Sequence, residues 1–274
     1  MNSVKWLIRI LLIFFLSHFS ISADTISLDH FIQDNNNEVI VSAGNIFELG
    51  FFSPGISTYR YVGIWYFQIP VKTPVWVANR DNPINDTSGV LRIDARGNLA
   101  LFQGNQTLPV WSTNISIAGP VNSFAQILDS GNLVLLQNDS KKAVLWQSFG
   151  HPTNTWLSHM KIGFDLRTGL NQSYTSWKSP DDPGVGNISF RMNPGVSPQM
   201  VLYKGSVPLW RSGTWTGKES CRGHDRLQQA HRVVGEEHQS MVVHPFSKAL
   251  PLVVFQEAIK NLTNGKEKEA FNPL

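Results

Sequence analysis

One cysteine, Cys221, stands in a chain of 274 residues. It excludes any disulfide within the chain, so the fold is held by packing alone. Charge is also scarce, with Asp, Glu, Lys and Arg at 16% against 11% aromatics. That balance excludes a disordered polyelectrolyte and suits a β-rich exported protein. Neither sign of charge is concentrated. Residues 24–217 hold 13 Lys/Arg and 13 Asp/Glu, and residues 218–274 hold 8 and 7. No basic stripe exists to follow a phosphate backbone, which excludes a nucleic-acid partner. HExxH, GxSxG, P-loop and dinucleotide patterns are missing, so no enzyme activity, cofactor or metal is expected. Past the first two dozen residues no apolar run approaches the roughly 18 residues that cross a bilayer; Ala249–Phe255 is the longest.

The first two dozen residues have their own order. Lys5 and Arg9 precede the apolar run Ile10 to Leu16, and the small residues Ser20, Ser22 and Ala23 follow. This is the layout of a secretory signal peptide over residues 1–23, cleaved after Ser22 or Ala23. The expected location is therefore secreted, in the extracellular space (apoplast), with no transmembrane span after cleavage. Seven Asn-x-Ser/Thr sequons agree with export: Asn85, Asn105, Asn114, Asn138, Asn171, Asn187 and Asn261. Most lie beside turn-forming residues, where a glycan would meet no core.

What is abundant is tryptophan at a fixed interval. Trp76, Trp111 and Trp146 occur in PVWVANR, PVWSTN and VLWQSF, separated by 35 residues each time. GNLALF (97–102) and GNLVLL (131–136) stand ahead of the second and third, and GNIFELGFF (44–52) reads as a divergent first copy. A fixed period of this size marks a supersecondary unit used repeatedly. Each unit opens with a Gly-Asn turn, runs through an apolar strand and closes on a short strand that carries the Trp. Two or three strands cannot bury an indole alone. Three sheets around one axis can bury all three, removing about 150–250 Å² per ring, or roughly 4–6 kcal/mol each. The structural core is therefore expected at Trp76, Trp111 and Trp146.

These strings, with YVGIWY, PVWVANRDNPI and LWQSFGHPT, resemble the bulb-type (monocot mannose-binding) lectin domain. The version they are most similar to stands at the front of plant S-locus glycoproteins and S-domain receptor kinases (G-type lectin receptor kinases). The resemblance covers about residues 24–150. It implies an all-β fold, a β-prism of three four-stranded sheets with pseudo-threefold symmetry. Residues 151–217, with SWKSPDDP and WRSGTW, resemble the opening of the S-locus glycoprotein domain that follows the lectin in such receptors. There Asp181 and Asp182, flanked by Pro180 and Pro183-Gly184, read as a turn rather than a carboxylate pair. From Lys218 the resemblance stops, and residues 218–274 are expected to be a divergent tail of low order on a truncated product. Cys221, His224, His231 and His238 lie there at spacings of three, seven and seven, which match no standard zinc finger. A lone cysteine also admits an intermolecular bridge, and with it a dimer.

In this lectin family a Gln-x-Asp-x-Asn-x-Val-x-Tyr pattern bonds the hydroxyls of mannose, once per sheet. Aligned on the Asn, the copies read Asp94, Arg96, Asn98, Ala100, Phe102; then Leu128, Ser130, Asn132, Val134, Leu136; and, in the divergent first copy, Val41, Ala43, Asn45, Phe47, Leu49. The candidate carbohydrate-binding residues are therefore Asp94, Asn98, Phe102, Asn132 and Asn45. Each copy keeps the Asn and loses the Asp and the Tyr hydroxyl, and a site built to bond hydroxyls loses discrimination when its partners go. The resemblance implies a secreted, non-catalytic recognition module in plant cell-surface signalling, of the pollen-recognition or defence type. Its partner would be a protein ligand or receptor, or a mannose-type glycan. The alternative is a functional mannose-binding lectin.

Overall fold

The computed structural model describes residues 24–116, 122–164, 171–195 and 198–214. The expected leader and tail, with Cys221, the three histidines after it and Asn261, lie outside the described residues. The first strands are β1 (Thr25–Ile26), β2 (Ile32–Gln33), β3 (Val39–Val41), β4 (Phe47–Phe52), β5 (Tyr61–Tyr66) and β6 (Trp76–Val77). They are followed by β7 (Gly89–Ile93), β8 (Leu99–Gln103), β9 (Trp111–Ser112), β10 (Ser123–Ile127), β11 (Leu133–Gln137) and β12 (Val144–Gln147).

These strands make three four-stranded antiparallel sheets, ordered β3-β4-β5-β6, β2-β7-β8-β9 and β1-β10-β11-β12. The chain lends one short strand to the third sheet and one to the second. It then builds the first sheet whole and returns through the second and third. β1 lies against β10, with Thr25 opposite Gln126, so the start of the described chain is stitched to the last sheet. The backbone N–H of Ile127 donates to the Asp24 carbonyl at 2.9 Å, and Gln126 Nε2 donates to the Asp24 carboxylate at 2.7 Å.

Period-2 alternation turns one row of each sheet inward. Leu91, Ile93, Leu99, Leu101, Ala125, Ile127, Leu133 and Leu135 share one core with Ile40, Leu49 and Ile64. In each sheet the last strand sets its tryptophan opposite a buried aliphatic residue: Ile64 faces Trp76, Leu101 faces Trp111, and Leu135 faces Trp146. The three indoles converge on the axis with ring centroids 5.9, 6.0 and 5.8 Å apart and interplanar angles of 76°, 65° and 75°. Each ring therefore sets an edge against its neighbour's face, the arrangement the aromatic quadrupole favours. Burial is unequal. Trp76 is 3% exposed and Trp146 9%, but Trp111 is only half-buried. The stabilisation expected for three rings is thus delivered in full by two. His151 closes the triad from one end: its carbonyl accepts from Trp76 Nε1 at 2.9 Å, and its ring stacks on Trp146 at 5.3 Å.

Beyond the prism come the short pair β13 (Gly163–Phe164) and β14 (Asn171–Gln172). A fourth four-stranded sheet then follows in sequence order: β15 (Tyr174–Ser179), β16 (Asp182–Asn193), β17 (Gln199–Lys204) and β18 (Val207–Arg211). Its last two strands repeat the third sheet. Leu202 faces Trp210 as Leu135 faces Trp146, and the register shifts just after that pair in both. Ser212 Oγ accepts from the Met200 N–H at 3.0 Å, as Ser148 Oγ accepts from the Leu133 N–H at 2.9 Å. The prism unit therefore occurs a fourth time, and here its Trp210 packs on Phe190.

The junction between prism and fourth sheet hangs on Arg80, 7% exposed. Its guanidinium donates to the Pro183 carbonyl at 2.8 Å, Thr175 Oγ1 at 2.9 Å and the Ser176 carbonyl at 3.0 Å. Burial pulls its pKa down to about 10, against the opposing pull of Asp81 and Asp182. The β15–β16 hairpin turn, Pro180–Asp181, is the turn expected there, and it also clasps the prism. Asp181 Oδ1 accepts from the Ile56 N–H at 2.8 Å. Gly55 sits at φ 51°, and a Cβ added there would lie 1.8 Å from the same oxygen, so a side chain there would both displace the Asp181 carboxylate and strain the backbone. Replacing Arg80 with Met leaves several buried acceptors unpaired. Hydrogen bonds to a charged group contribute about 1.5–3 kcal/mol each, so Arg80→Met should loosen residues 174–193 by at least about 3 kcal/mol. Hydrogen exchange should show that loss there while the three prism sheets keep their protection.

Candidate functional site

The register against the tryptophans fixes which residues are equivalent. The third strand of each sheet faces the Trp strand, so β5, β8, β11 and β17 correspond, with Ile64, Leu101, Leu135 and Leu202 in one position. The outward row is then Tyr61, Gly63, Trp65 in the first sheet and Asn98, Ala100, Phe102 in the second. It is Asn132, Val134, Leu136 in the third and Gln199, Val201, Tyr203 in the fourth. This corrects the divergent first copy: GNIFELGFF supplies β4 and the turn before it, which is the second strand of its sheet. A Gly-Asn turn signals a hairpin but not which hairpin. Asn45 occupies that exposed turn at φ 56°, away from the outward row.

Asp94, Asn98 and Phe102 do come together on one face, Asn132 lies on the next sheet, and the polar atoms of most are already engaged. Asp94 Oδ1 accepts from the N–H groups of Arg96 at 2.8 Å and Asn98 at 2.9 Å, closing the β7–β8 turn. Asn98, 5% exposed, accepts through Oδ1 from Thr113 Oγ1 at 3.0 Å and the Ile115 N–H at 2.7 Å. Asn132, 8% exposed, does the same job one sheet on. Its Oδ1 accepts from Ser148 Oγ at 3.1 Å and the Phe149 N–H at 3.2 Å, and its Nδ2 donates to Gln147 Oε1 at 3.0 Å. Both asparagines pin the segment that follows the tryptophan.

A feature not read from the sequence recurs on all four sheets: a cation lies over an aromatic at or beside the outermost position of the row. Lys72 Nζ is 4.4 Å from the Trp65 ring, the Arg92 guanidinium 4.4 Å from Phe102, and the Arg191 guanidinium 4.6 Å from Tyr203. In the third sheet, where Leu136 takes the position, Lys142 lies 5.9 Å from Phe124, the residue opposite Leu136. The signal needs the strand pairing, since the sequence alone does not say which cation lies over which ring.

The faces differ in access. That of the first sheet is closed: Phe52, Tyr61, Trp65 and Val77 form a small second core completed by Trp177 of the fourth sheet. Burial first, then Asp182 and Tyr59, pushes the Tyr61 hydroxyl up to about 12, so it stays protonated. Beside this core is a cavity of about 440 Å³ reached by Phe52, Arg60, Lys72, Trp177 and Pro180. Its two cations are spoken for, Arg60 by a two-point pair with Asp34 and Lys72 by Glu48 at 3.6 Å. On the second and fourth sheets Arg92 and Arg191 are exposed, while Ala100, Phe102 and Val201 beneath them are buried. The sequons Asn85, Asn105, Asn114, Asn138 and Asn187 are exposed; the side chains of Asn171 and Asn261 lie outside the description. Among the described residues no helix is long and apolar enough to cross a membrane.

Residues 73–178 match the family model for the D-mannose binding lectin domain. The chain is 49% identical over 210 residues to the G-type lectin S-receptor-like serine/threonine-protein kinase RKS1 of Arabidopsis thaliana, covering 76% of this chain and 25% of the kinase. To the receptor-like serine/threonine-protein kinase SD1-8 of the same plant it is 44% identical over 79% of its own length, again 25% of the relative. It is 42% identical to the S-locus-specific glycoprotein S6 of Brassica oleracea, over 77% of this chain and 48% of the glycoprotein. The chain thus spans about a quarter of such kinases and about half of the glycoprotein. Among solved structures, a monomeric monocot mannose-binding lectin from Gastrodia elata aligns with 46% of this chain and 96% of its own at 13% identity and a TM-score of 0.35.

If Asn132 is structural, its loss is felt in stability. Asn132→Ala strands the Phe149 N–H and Ser148 hydroxyl, and one buried unsatisfied group costs about 1–3 kcal/mol. Chemical denaturation should show the midpoint falling by that amount; an unchanged midpoint would release Asn132 for ligand contact.

Proposed function

We propose, for a chain that carries a D-mannose binding lectin domain and is a homologue of the G-type lectin S-receptor-like kinases and S-locus glycoproteins, that it is an extracellular, non-catalytic recognition module. It engages a protein or glycan ligand through exposed sheet faces and loops rather than through mannose contacts at the standard positions, in cell-surface recognition of the pollen or defence type. The observation that carries this reading is the occupancy of the retained asparagines: Asn98 Oδ1 and Asn132 Oδ1 each already accept two hydrogen bonds. A mannose hydroxyl brought to either oxygen would be stripped of water with no free acceptor in return, and at Asn132 the Nδ2 donor is taken as well, which removes most of the affinity such a site can have. The exposed sequons support export and glycosylation, since a glycan on any of them would point to solvent.

The mannose-lectin alternative draws its support from the second sheet, where Asp94 and Asn98 share a face with Phe102. Chromatography of the chain on immobilised mannan separates the two. Passage without retention is expected, and retention displaced by methyl α-mannoside would establish the alternative.

A further inference from the structure

We propose that the exposed arginines of the second and fourth sheets, Arg92 and Arg191, bind the carboxylate of an acidic saccharide of the uronic acid type. The two arginines hold the same place in the repeated unit. Arg92 pairs with Ala100 across β7 and β8, Arg191 pairs with Val201 across β16 and β17, and Ala100 and Val201 are equivalent in register. Each guanidinium then lies over the aromatic two residues further along, Phe102 at 4.4 Å and Tyr203 at 4.6 Å. Among the described residues the ion pairs join Arg60 to Asp34, Lys72 to Glu48 and Lys178 to Asp182, and no carboxylate is paired with Arg92, Arg191 or Arg211.

An arginine laid on an aromatic ring is ordered before any ligand arrives. Its stacked face is satisfied, and its N–H edge stays free in a planar fork that matches a carboxylate at two points. On the fourth sheet the supply of charge is doubled, because Arg211 faces Val201 from the other side and the row reads Arg191, Val201, Arg211. Two unpaired guanidinium groups on one face repel each other, and an anion between or beside them relieves that repulsion. The rest of the surface suits a pyranose. Val201 and Ala100 are fully buried beneath the arginines, so a ligand meets the guanidinium groups first, while Ser189, Gln199 and the Tyr203 hydroxyl, all on half-buried residues, supply hydroxyl partners along the same outward rows. The inference rests on the reading of the chain as a glycan- or protein-binding module and names the glycan class.

The test uses the 274-residue chain and four probes in titration calorimetry: trigalacturonic acid, its methyl ester, a soluble mannan and a glutamate oligomer of matching charge. The acid should bind and its ester, equal in shape but uncharged, should bind at least ten-fold more weakly. R92Q with R191Q should weaken the acid at least ten-fold while the near-ultraviolet dichroism of the buried tryptophans is unchanged. The corresponding Lys variants, which keep charge and lose the fork, should fall between. Equal binding of acid and ester, or an unaffected double Gln variant, overturns the proposal. A glutamate oligomer that binds as tightly reassigns the faces to an acidic peptide and overturns the saccharide. If none of the four probes binds, this inference fails while the recognition of a protein ligand stands; retention of mannan would instead contradict the function proposed above.

Discussion

Three sheets that share no continuous hydrogen-bond ladder have to be held to one axis by something in the middle, and here it is a ring of indoles. Each tryptophan sits on the last, short strand of its sheet, a strand of two to four residues that could not hold its own place. The ring reverses that weakness, because each indole offers an edge to one neighbour and a face to the other. Centroid separations within 0.2 Å of one another make the three contacts near-equivalent, which is the physical content of the pseudo-threefold symmetry. No disulfide supports the prism, since Cys221 is the only cysteine in the chain and lies beyond it.

The same repeated unit, once the axis is filled, has an outward row left over, and the four copies spend it differently. The first copy gives its row to Trp177 and becomes part of the joint with the fourth sheet. The third loses its aromatic to Leu136 and turns its asparagine wholly inward to Ser148, Phe149 and Gln147. The second and fourth keep an aromatic under an exposed arginine. The joint itself is a polar one. Arg80 reaches backbone carbonyls that the β15–β16 hairpin cannot use internally, and the full set of acceptors is what makes burying a guanidinium tolerable. PVWVANRD and SWKSPDDP are therefore two halves of one contact.

Much of the prism was legible before any coordinates. The interval between Trp76, Trp111 and Trp146 led to a shared interior because equal spacing favours three equivalent positions about one axis over a generic sandwich core. The candidate site was legible only in part. Asp94, Asn98 and Phe102 share one face because the hairpin that carries them is local, two strands and a tight turn. Asn45 does not share such a face, because its Gly-Asn turn imitates the others while belonging to a different hairpin. The true counterpart strand, YVGIWY, follows the loop SPGISTYR, which has no Gly-Asn turn to announce it. Long-range partners were the least readable. Arg80 stands among Asn79, Asp81 and Asn82, whose turn chemistry masks a side chain bound for residues 175–184. Arg92 over Phe102 needs the strand register to be seen at all.

The interior triad is what the account stands on, and pairwise double-mutant cycles test it most directly. Trp76, Trp111 and Trp146 would be replaced by Leu singly and in each of the three pairs, with unfolding free energies measured in denaturant. Three edge-to-face contacts of like geometry predict coupling of about 0.5–1.5 kcal/mol in every pair. Additive losses in all three would mean that the indoles do not touch, and the prism would need another centre.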